Sequence, residues 1–304
     1  MPTKKILVTG AGGFIGRHSI PILERHGYEI HGLHYGDAPT PKIKSVKWHV
    51  VNLLERGVIG PLISGIKPQY LIHFAWEARP GIYWTSETNS AWARTSVELF
   101  ETFYKQGGLR GVSAGSCAEY SWKNEGLFSE ERTPALPATL YGTSKLNFAQ
   151  SIRRFSIHSG FSYAWGRIFY PFGPGEYRQR LVPSVILSLL AGEPAKATHG
   201  RQIRDFLYVE EVAGAFVALL ESECQGPVNI ASGIGTSVSD IVLELGKLVG
   251  RTDLIHLGEI PLPAGEPASL VANTDRLNST VGFVPKIDIH NGLRKTFEWW
   301  RANQ

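Results

Sequence analysis

The sequence predicts an α/β fold, a doubly wound parallel sheet with a smaller, discontinuous second lobe, and three features lead there. A short apolar run, residues 5–9, breaks into Gly10-Ala11-Gly12-Gly13-Phe14-Ile15-Gly16 and then into a helical pattern reaching about His26. Further short apolar runs alternate with helical stretches across most of the 304 residues, joined by short connections, as a parallel sheet requires. Pro171-Phe172-Gly173-Pro174-Gly175 then interrupts the alternation and marks where the chain leaves that sheet.

Composition narrows the class. With 43% apolar residues the chain can bury a large core around a cleft, and a net charge of +4 with scattered basic residues argues against a nucleic-acid partner. Cys117 and Cys224 are the only cysteines, too far apart for a disulfide framework or zinc cluster, so a reducing compartment, the cytoplasm, is expected. No signal-peptide pattern opens the sequence, and its longest apolar candidate, residues 181–191, is too short to span a bilayer; no membrane association is expected. The ten histidines form no His-x-x-x-His pair or carboxylate cluster, so no metal site is expected.

Each element follows in order. Gly10, Gly13 and Gly16 let the backbone turn sharply, approach a pyrophosphate and pack the helix against the strand, with the helix N-terminus aimed at the anion. The second strand, 29–33, ends at His34-Tyr35-Gly36, where an enzyme choosing NAD carries an Asp or Glu for the ribose hydroxyls. Asp37 reads instead as a turn residue before Pro39. With Arg17 available to a 2′-phosphate, the reading favours NADP, with NAD as the alternative. Strands 46–51 and 70–74 flank a helix that ends before Lys67-Pro68, and helix 89–106, closed by Gly107-Gly108, precedes strand 109–114. Tyr141-Gly142-Thr143-Ser144-Lys145 opens a helix running to about His158, followed by strand 161–169. Helix 182–191 belongs to the second lobe, and 201–209 with the apolar helix to Leu220 returns the chain to the sheet, where 228–230 adds another strand. Helix 238–249, a short strand 270–272 and a closing helix 292–300, with Trp299 and Trp300 inward, complete the chain. The resulting division is 1–168 plus 206–231 for the dinucleotide and 169–205 plus 232–304 for the substrate.

Chemistry concentrates around Tyr141. On a helix Lys145 lies one turn away on the same face, and an ammonium there favours the phenolate of a group that otherwise titrates near about 10. Ser116 follows a strand and so emerges at the carboxyl edge of the sheet, where ligands of such folds bind. These residues, with Thr9-Gly10-x-x-Gly13-x-x-Gly16, His73-Phe74-Ala75, Arg167-x-Phe169, Phe172-Gly173-Pro174 and Arg204-Asp205-Phe206-x-Tyr208-Val209, occur in one order along most of the chain. In that order the sequence resembles the extended short-chain dehydrogenase/reductases, the Rossmann-type sugar-nucleotide epimerase, dehydratase and reductase branch.

The resemblance implies that Tyr141 exchanges a proton with a substrate oxygen that Ser116 also binds, while Lys145 holds the nicotinamide ribose. It implies cofactor contacts from Phe14 and Ile15 beside the loop glycines, from His34, Asn52 and Leu53, from Phe74-Ala75-Trp76, and from Tyr170 and Pro171. Arg204 is similar to the arginine that holds the substrate diphosphate, against a surface ion pair with Asp205 as the structural reading. Cys117 and Ala118 stand where the dehydratases carry acidic residues, which disfavours dehydration, and Cys117 itself reads as a small buried residue. Glu119 replaces an apolar family residue and reads either as a substrate-hydroxyl contact or as a structural hydrogen bond. Tyr170 replaces an Asn, and Pro263 an Arg before Gly265-Glu266. Trp76, Trp84, Trp92 and Trp122 suggest an aromatic-walled sugar pocket, with Trp84 as a substrate contact. The resulting expectation is an NADP-linked reductase of a keto group on a sugar nucleotide, a 4-keto-6-deoxyhexose above all. A 4-epimerase with retained NAD is the rival, and a non-catalytic dinucleotide-sensing regulator the rival of another class. A homodimer through helices 89–106 and 142–158 is also implied.

Overall fold

A computed structural model describes residues 4–35, 43–123, 126–263 and 265–303. Asp37, read above as a turn residue before Pro39, lies outside the described residues, as do Gly36 and Pro39.

Seven parallel strands form the main sheet: β1 (Lys4–Thr9), β2 (Tyr28–His34), β3 (Val46–Val50), β4 (Tyr70–His73), β5 (Arg110–Ser116), β6 (Ser162–Ile168) and, after three short strands introduced below, β10 (Gly226–Ile230). Their spatial order is β10-β6-β5-β4-β1-β2-β3. Strand order therefore reverses between β1 and β4, and the chain leaves both strands into one crevice at their carboxyl ends. Alternation in β1 sends Ile6 and Val8 to one face and Leu7 to the other. The first face is covered by α1 (Gly16–Arg25) and α6 (Val209–Glu221) through residues such as Ile20, Leu23, Val212 and Phe216. The second is covered by α2 (Ile59–Ile66), α3 (Thr88–Lys105) and α4 (Leu140–Ser159) through Ile63, Phe100, Phe103 and Phe148. Burial on both faces is why these strands read as near-continuous apolar runs.

The second substructure is built from β7 (Tyr170–Phe172), α5 (Leu181–Leu190), β8 (Ala195–Ala197), β9 (Ile203–Tyr208), β11 (Gly235–Ser237), α7 (Val238–Val249), β12 (Ile255–Leu257), β13 (Ser269–Leu270) and α8 (Ile289–Ala302). Here one expectation is corrected. Residues 201–209 do not rejoin the main sheet: β9 pairs with β7, β11 and β13 in a smaller sheet of its own. The chain rejoins the main sheet only through α6 and β10. The reason is that β7 has already left the main sheet one residue after β6 and offers β9 a parallel partner, Tyr170 opposite Phe206 and Phe172 opposite Tyr208. Alternation then makes β9 a shared wall, with Leu207 in the core under α6 while Phe206 and Tyr208 join the core formed with α5, α7 and α8. No helix among the described residues is long and apolar enough to cross a membrane.

Candidate active site

The glycine turn after β1 is shaped by what a side chain would strike. Gly10 has φ +67°, and a Cβ there would lie 2.8 Å from the Ala75 backbone nitrogen, so the two strand ends approach too closely for any other residue. A Cβ at Gly16 would lie 2.1 Å from the Gly10 carbonyl oxygen, which closes the turn against the start of α1. Thr9 pins the crevice from below: its hydroxyl accepts from Ala75 N at 3.2 Å and lies 2.7 Å from His73 Nδ1. His73 is buried with Ser96 on its other nitrogen, and burial pushes its pKa down to about 3, leaving a neutral ring. A glycine-only cradle facing a helix N-terminus fits a dinucleotide pyrophosphate.

The other residues expected to hold a cofactor lie at the strand ends or beside them. Phe14, Ile15 and Arg17 belong to the turn and the first turn of α1. Arg17 is exposed and tied to its own loop, donating from Nε to the Gly13 carbonyl and from Nη2 to the Gly12 carbonyl. His34 ends β2, and Asn52 follows β3, its amide oxygen accepting from Leu54 N. The Leu53 side chain is spent in the core, 4% exposed. Phe74 meets Phe216 at 4.9 Å, and Trp76 donates to Asn89 while stacking on Trp92 and Phe148. Tyr170 and Pro171 form the start of β7.

Ser116, Tyr141 and Lys145 come together. Ser116 is the last residue of β5 and caps the short turn Cys117–Glu119, accepting from Ala118 N. Thr139 caps α4 by accepting from Gly142 N, which fixes Tyr141 in the first helical turn. A Cβ at Gly142 would lie 2.2 Å from the Ala118 carbonyl oxygen, so this glycine lets the helix start press against the Ser116 turn. The Ser116 hydroxyl accordingly lies beside the Tyr141 phenol. Lys145 is buried, with Nζ donating to the Ala114 carbonyl at 2.9 Å and standing 3.8 Å from the Trp76 ring and 6.0 Å from that of Tyr141. Burial dominates the electrostatics of both groups: it pushes the Tyr141 phenol above its ordinary range and brings Lys145 down to about 7. Lys145 Nζ is engaged with Ala114 and Trp76 one helical turn from Tyr141.

Of the three substrate-contact expectations, one stays beside Tyr141. The Trp84 ring meets Tyr141 at 5.7 Å and Trp122 at 5.9 Å. Glu119 is corrected from substrate contact to scaffold: it is fully buried, accepting from Ser116 N, from Trp165 Nε1 and from Arg167 Nε at 2.9 Å. With both oxygens occupied it has nothing to offer a ligand. Arg204 is also buried; it pairs with Glu266, not Asp205, and lies over the Tyr170 ring at 5.5 Å. Asp205 instead caps the turn at Ser232 and Gly233 and accepts from Ala272 N. Cys117 is buried, its thiol pushed up to about 12. Sequence reasoning missed Tyr83, whose ring meets Tyr141 at 5.0 Å, closer than that of Trp84. Its only signal was its place beside Trp84.

Comparison with known proteins agrees with this architecture. A UDP-glucose 4-epimerase of Corynebacterium glutamicum is 24% identical over 97% of this chain and 94% of its own. The solved UDP-glucose 4-epimerase of Thermotoga maritima, with UDP-glucose, superposes with a TM-score of 0.90 over 98% of this chain and 99% of its own at 22% identity. That of Thermus thermophilus, in complex with NAD, gives 0.87 over 99% and 100% at 23% identity. Residues 6–231 match the profile of the NAD dependent epimerase/dehydratase family. That match covers the glycine turn, Ser116, Tyr141 and Lys145, and the chain therefore belongs to the NAD dependent epimerase/dehydratase family.

Proposed function

We propose that this chain is an oxidoreductase that reduces a keto group on the sugar of a sugar nucleotide, with Tyr141 as proton donor. The observation that supports this reading is the placement of Tyr141 beside Ser116 at the carboxyl edge of the sheet, with Lys145 one helical turn away. A protonated phenol and a hydroxyl converging on one carbonyl oxygen polarise it, and the phenol then delivers the proton as the alkoxide forms. A bound nicotinamide supplies the hydride. Lys145, near neutrality in its pKa and one turn from Tyr141, restores the phenol by passing on a proton. Gly10, Gly13, Gly16, Phe14 and Ile15 would hold the dinucleotide pyrophosphate, and Asn52, Phe74, Ala75 and Trp76 would line it. NADPH is the proposed reductant because no carboxylate follows β2 at His34-Tyr35 and Arg17 stands exposed at the loop.

The second reading is a 4-epimerase that oxidises and re-reduces one carbon with a retained NAD, favoured by the full-length match to the C. glutamicum enzyme and by the NAD in the T. thermophilus structure. Turnover separates the two. A reductase consumes one NADPH per product, whereas an epimerase converts substrate with no net change in nicotinamide absorbance. In either case Tyr141→Phe is expected to lower kcat by about 10²–10⁴ with the fold retained, by circular dichroism. Unchanged kcat in that variant would overturn both readings.

A further inference from the structure

Tyr141 and Lys145 stand against the segment that joins β4 to α3, and one side chain orders that segment. Asn89, in the first turn of α3, is fully buried and puts its whole amide to use. Oδ1 accepts from Trp76 Nε1 at 2.8 Å, while Nδ2 donates to the Tyr83 carbonyl at 2.7 Å and to the Ser86 carbonyl at 2.9 Å. An indole N–H and two carbonyls call for one acceptor and two donors on a short arm, which Asn supplies and Asp, Ser or Thr do not. The two aromatic residues so held are ones that meet the acid-base pair: the Trp76 ring lies against Lys145, and Tyr83 meets Tyr141 at 5.0 Å. Asn89 itself hydrogen-bonds none of Ser116, Tyr141 and Lys145 among the described residues.

The Lys145 end has the larger consequence. One N–H of its ammonium goes to the Ala114 carbonyl at 2.9 Å, and Nζ stands 3.8 Å from the centroid of the Trp76 ring, within the range where an indole face attracts a cation. That ring is held in its plane by stacking on Trp92 at 6.1 Å and on Phe148 at 6.4 Å, and by the bond to Asn89. Two of the three ammonium directions thus have protein partners, and tetrahedral geometry sets the third. Burial works against the charge, bringing Lys145 down to about 7. The charged and titratable groups that face it are Glu119, already paired with Arg167, the neutral ring of His73, and Tyr141 on its own helix. The indole face therefore supplies an attraction for the cation that no unshared carboxylate provides.

We propose that Trp76 seats the Lys145 ammonium on its indole face and that Asn89 is the positioning residue that holds this indole in place. The consequence for turnover rests on the reading of Lys145 as the partner of Tyr141 in an oxidoreductase; the seat does not. Lysine labelled with ¹³C at Cε, its Lys145 signal assigned with Lys145→Met, reports the titration directly by NMR in the protein without substrate or cofactor. Trp76→Leu removes the π face, and the titration of Lys145 is expected to move down by about half a pH unit or more, because the cation loses its stabiliser. Trp76→Phe keeps the packing and a weaker face, and is expected to move it the same way by about half as much. Asn89→Ala frees the indole and is expected to lower the titration by less than Trp76→Leu does. Combining the two is expected to give no more than Trp76→Leu alone, since Asn89 acts on Lys145 through that ring. A purely structural role would lower thermal stability in these variants and leave the Lys145 titration where it is. Titration within about 0.2 pH units of wild type in Trp76→Leu and Trp76→Phe, or an upward move such as a hydrated cavity causes, would overturn the seat. An unchanged titration in Asn89→Ala, or additive effects in the double variant, would overturn the positioning role. Shifted titrations in a protein that turns over no keto sugar nucleotide would sink the assigned reaction and leave the seat standing.

Discussion

Glu119 is buried beside Ser116 and Glu176 is half-buried with one oxygen shut off from solvent, yet their surroundings differ in kind. Glu119 is matched on every side: backbone N–H of Ser116, indole of Trp165 and guanidinium of Arg167. A Cβ on Gly115 would lie 2.6 Å from Oε1 of Glu119 and 2.1 Å from Trp165 Nε1, so even the neighbouring glycine is shaped around this network. Glu176 has an orphaned oxygen and a cation, Arg180, that does not close on it. A buried carboxylate with complete partners holds the Ser116 end of β5 in place, whereas a carboxyl with an unpaired oxygen among the described residues is pushed toward its protonated form. Burial by itself thus says little about role; the partner count decides.

Three measurements test that contrast, in falling order of effect. Glu119→Ala strips Arg167 of its counter-charge inside the sheet, and stability is expected to drop by about 3–5 kcal/mol in urea denaturation. A loss comparable to that of an ordinary surface substitution would mean the network is not structural. Glu176 comes next. Its carboxyl binds a proton more tightly in the folded chain, at about 8, than at the ordinary 4.5, so folding takes up a proton between those values and stability falls as pH rises through that window. Relative to Glu176→Gln, the wild type is expected to lose about 1–3 kcal/mol between about pH 5 and about pH 8. Parallel profiles for the two proteins would show that Glu176 is already satisfied. Lys105 and Glu101 give the exposed reference: they pair at 3.4 Å across one turn of α3 with the ammonium largely in solvent. Lys105→Ala is expected to change stability by no more than about 0.5 kcal/mol.

Much of the same contrast separates what could be read in the residues from what could not. The strand, glycine turn and helix at the N-terminus were legible because local periodicity and three glycines specify them without reference to the rest of the chain. The meeting of Tyr141 and Lys145 was legible for the same reason, being one helical turn, and Ser116 because strand ends of a parallel sheet share an edge. Glu119 was ambiguous because its partners Trp165 and Arg167 come from the next strand of the sheet, and only pairing β5 with β6 brings them alongside. The Ala114 carbonyl and Trp76 indole that meet Lys145 Nζ were not legible, because they come from β5 and from the segment after β4. Glu176 and Arg180 were passed over since charged residues after Gly-Pro-Gly look like a solvated turn. The partners of β9 were hidden because strand order is a property of the whole fold.

The position of β9 has a consequence for how such a molecule can diversify. Its successive side chains answer to different interiors, Leu207 to one and Phe206 and Tyr208 to the other. Any exchange along it must suit two sets of neighbours at once, which leaves almost no freedom for inherited change. New preferences for a sugar or a base are therefore expected to be written in the connecting loops around this strand, while the strand itself stays fixed like a beam common to two rooms.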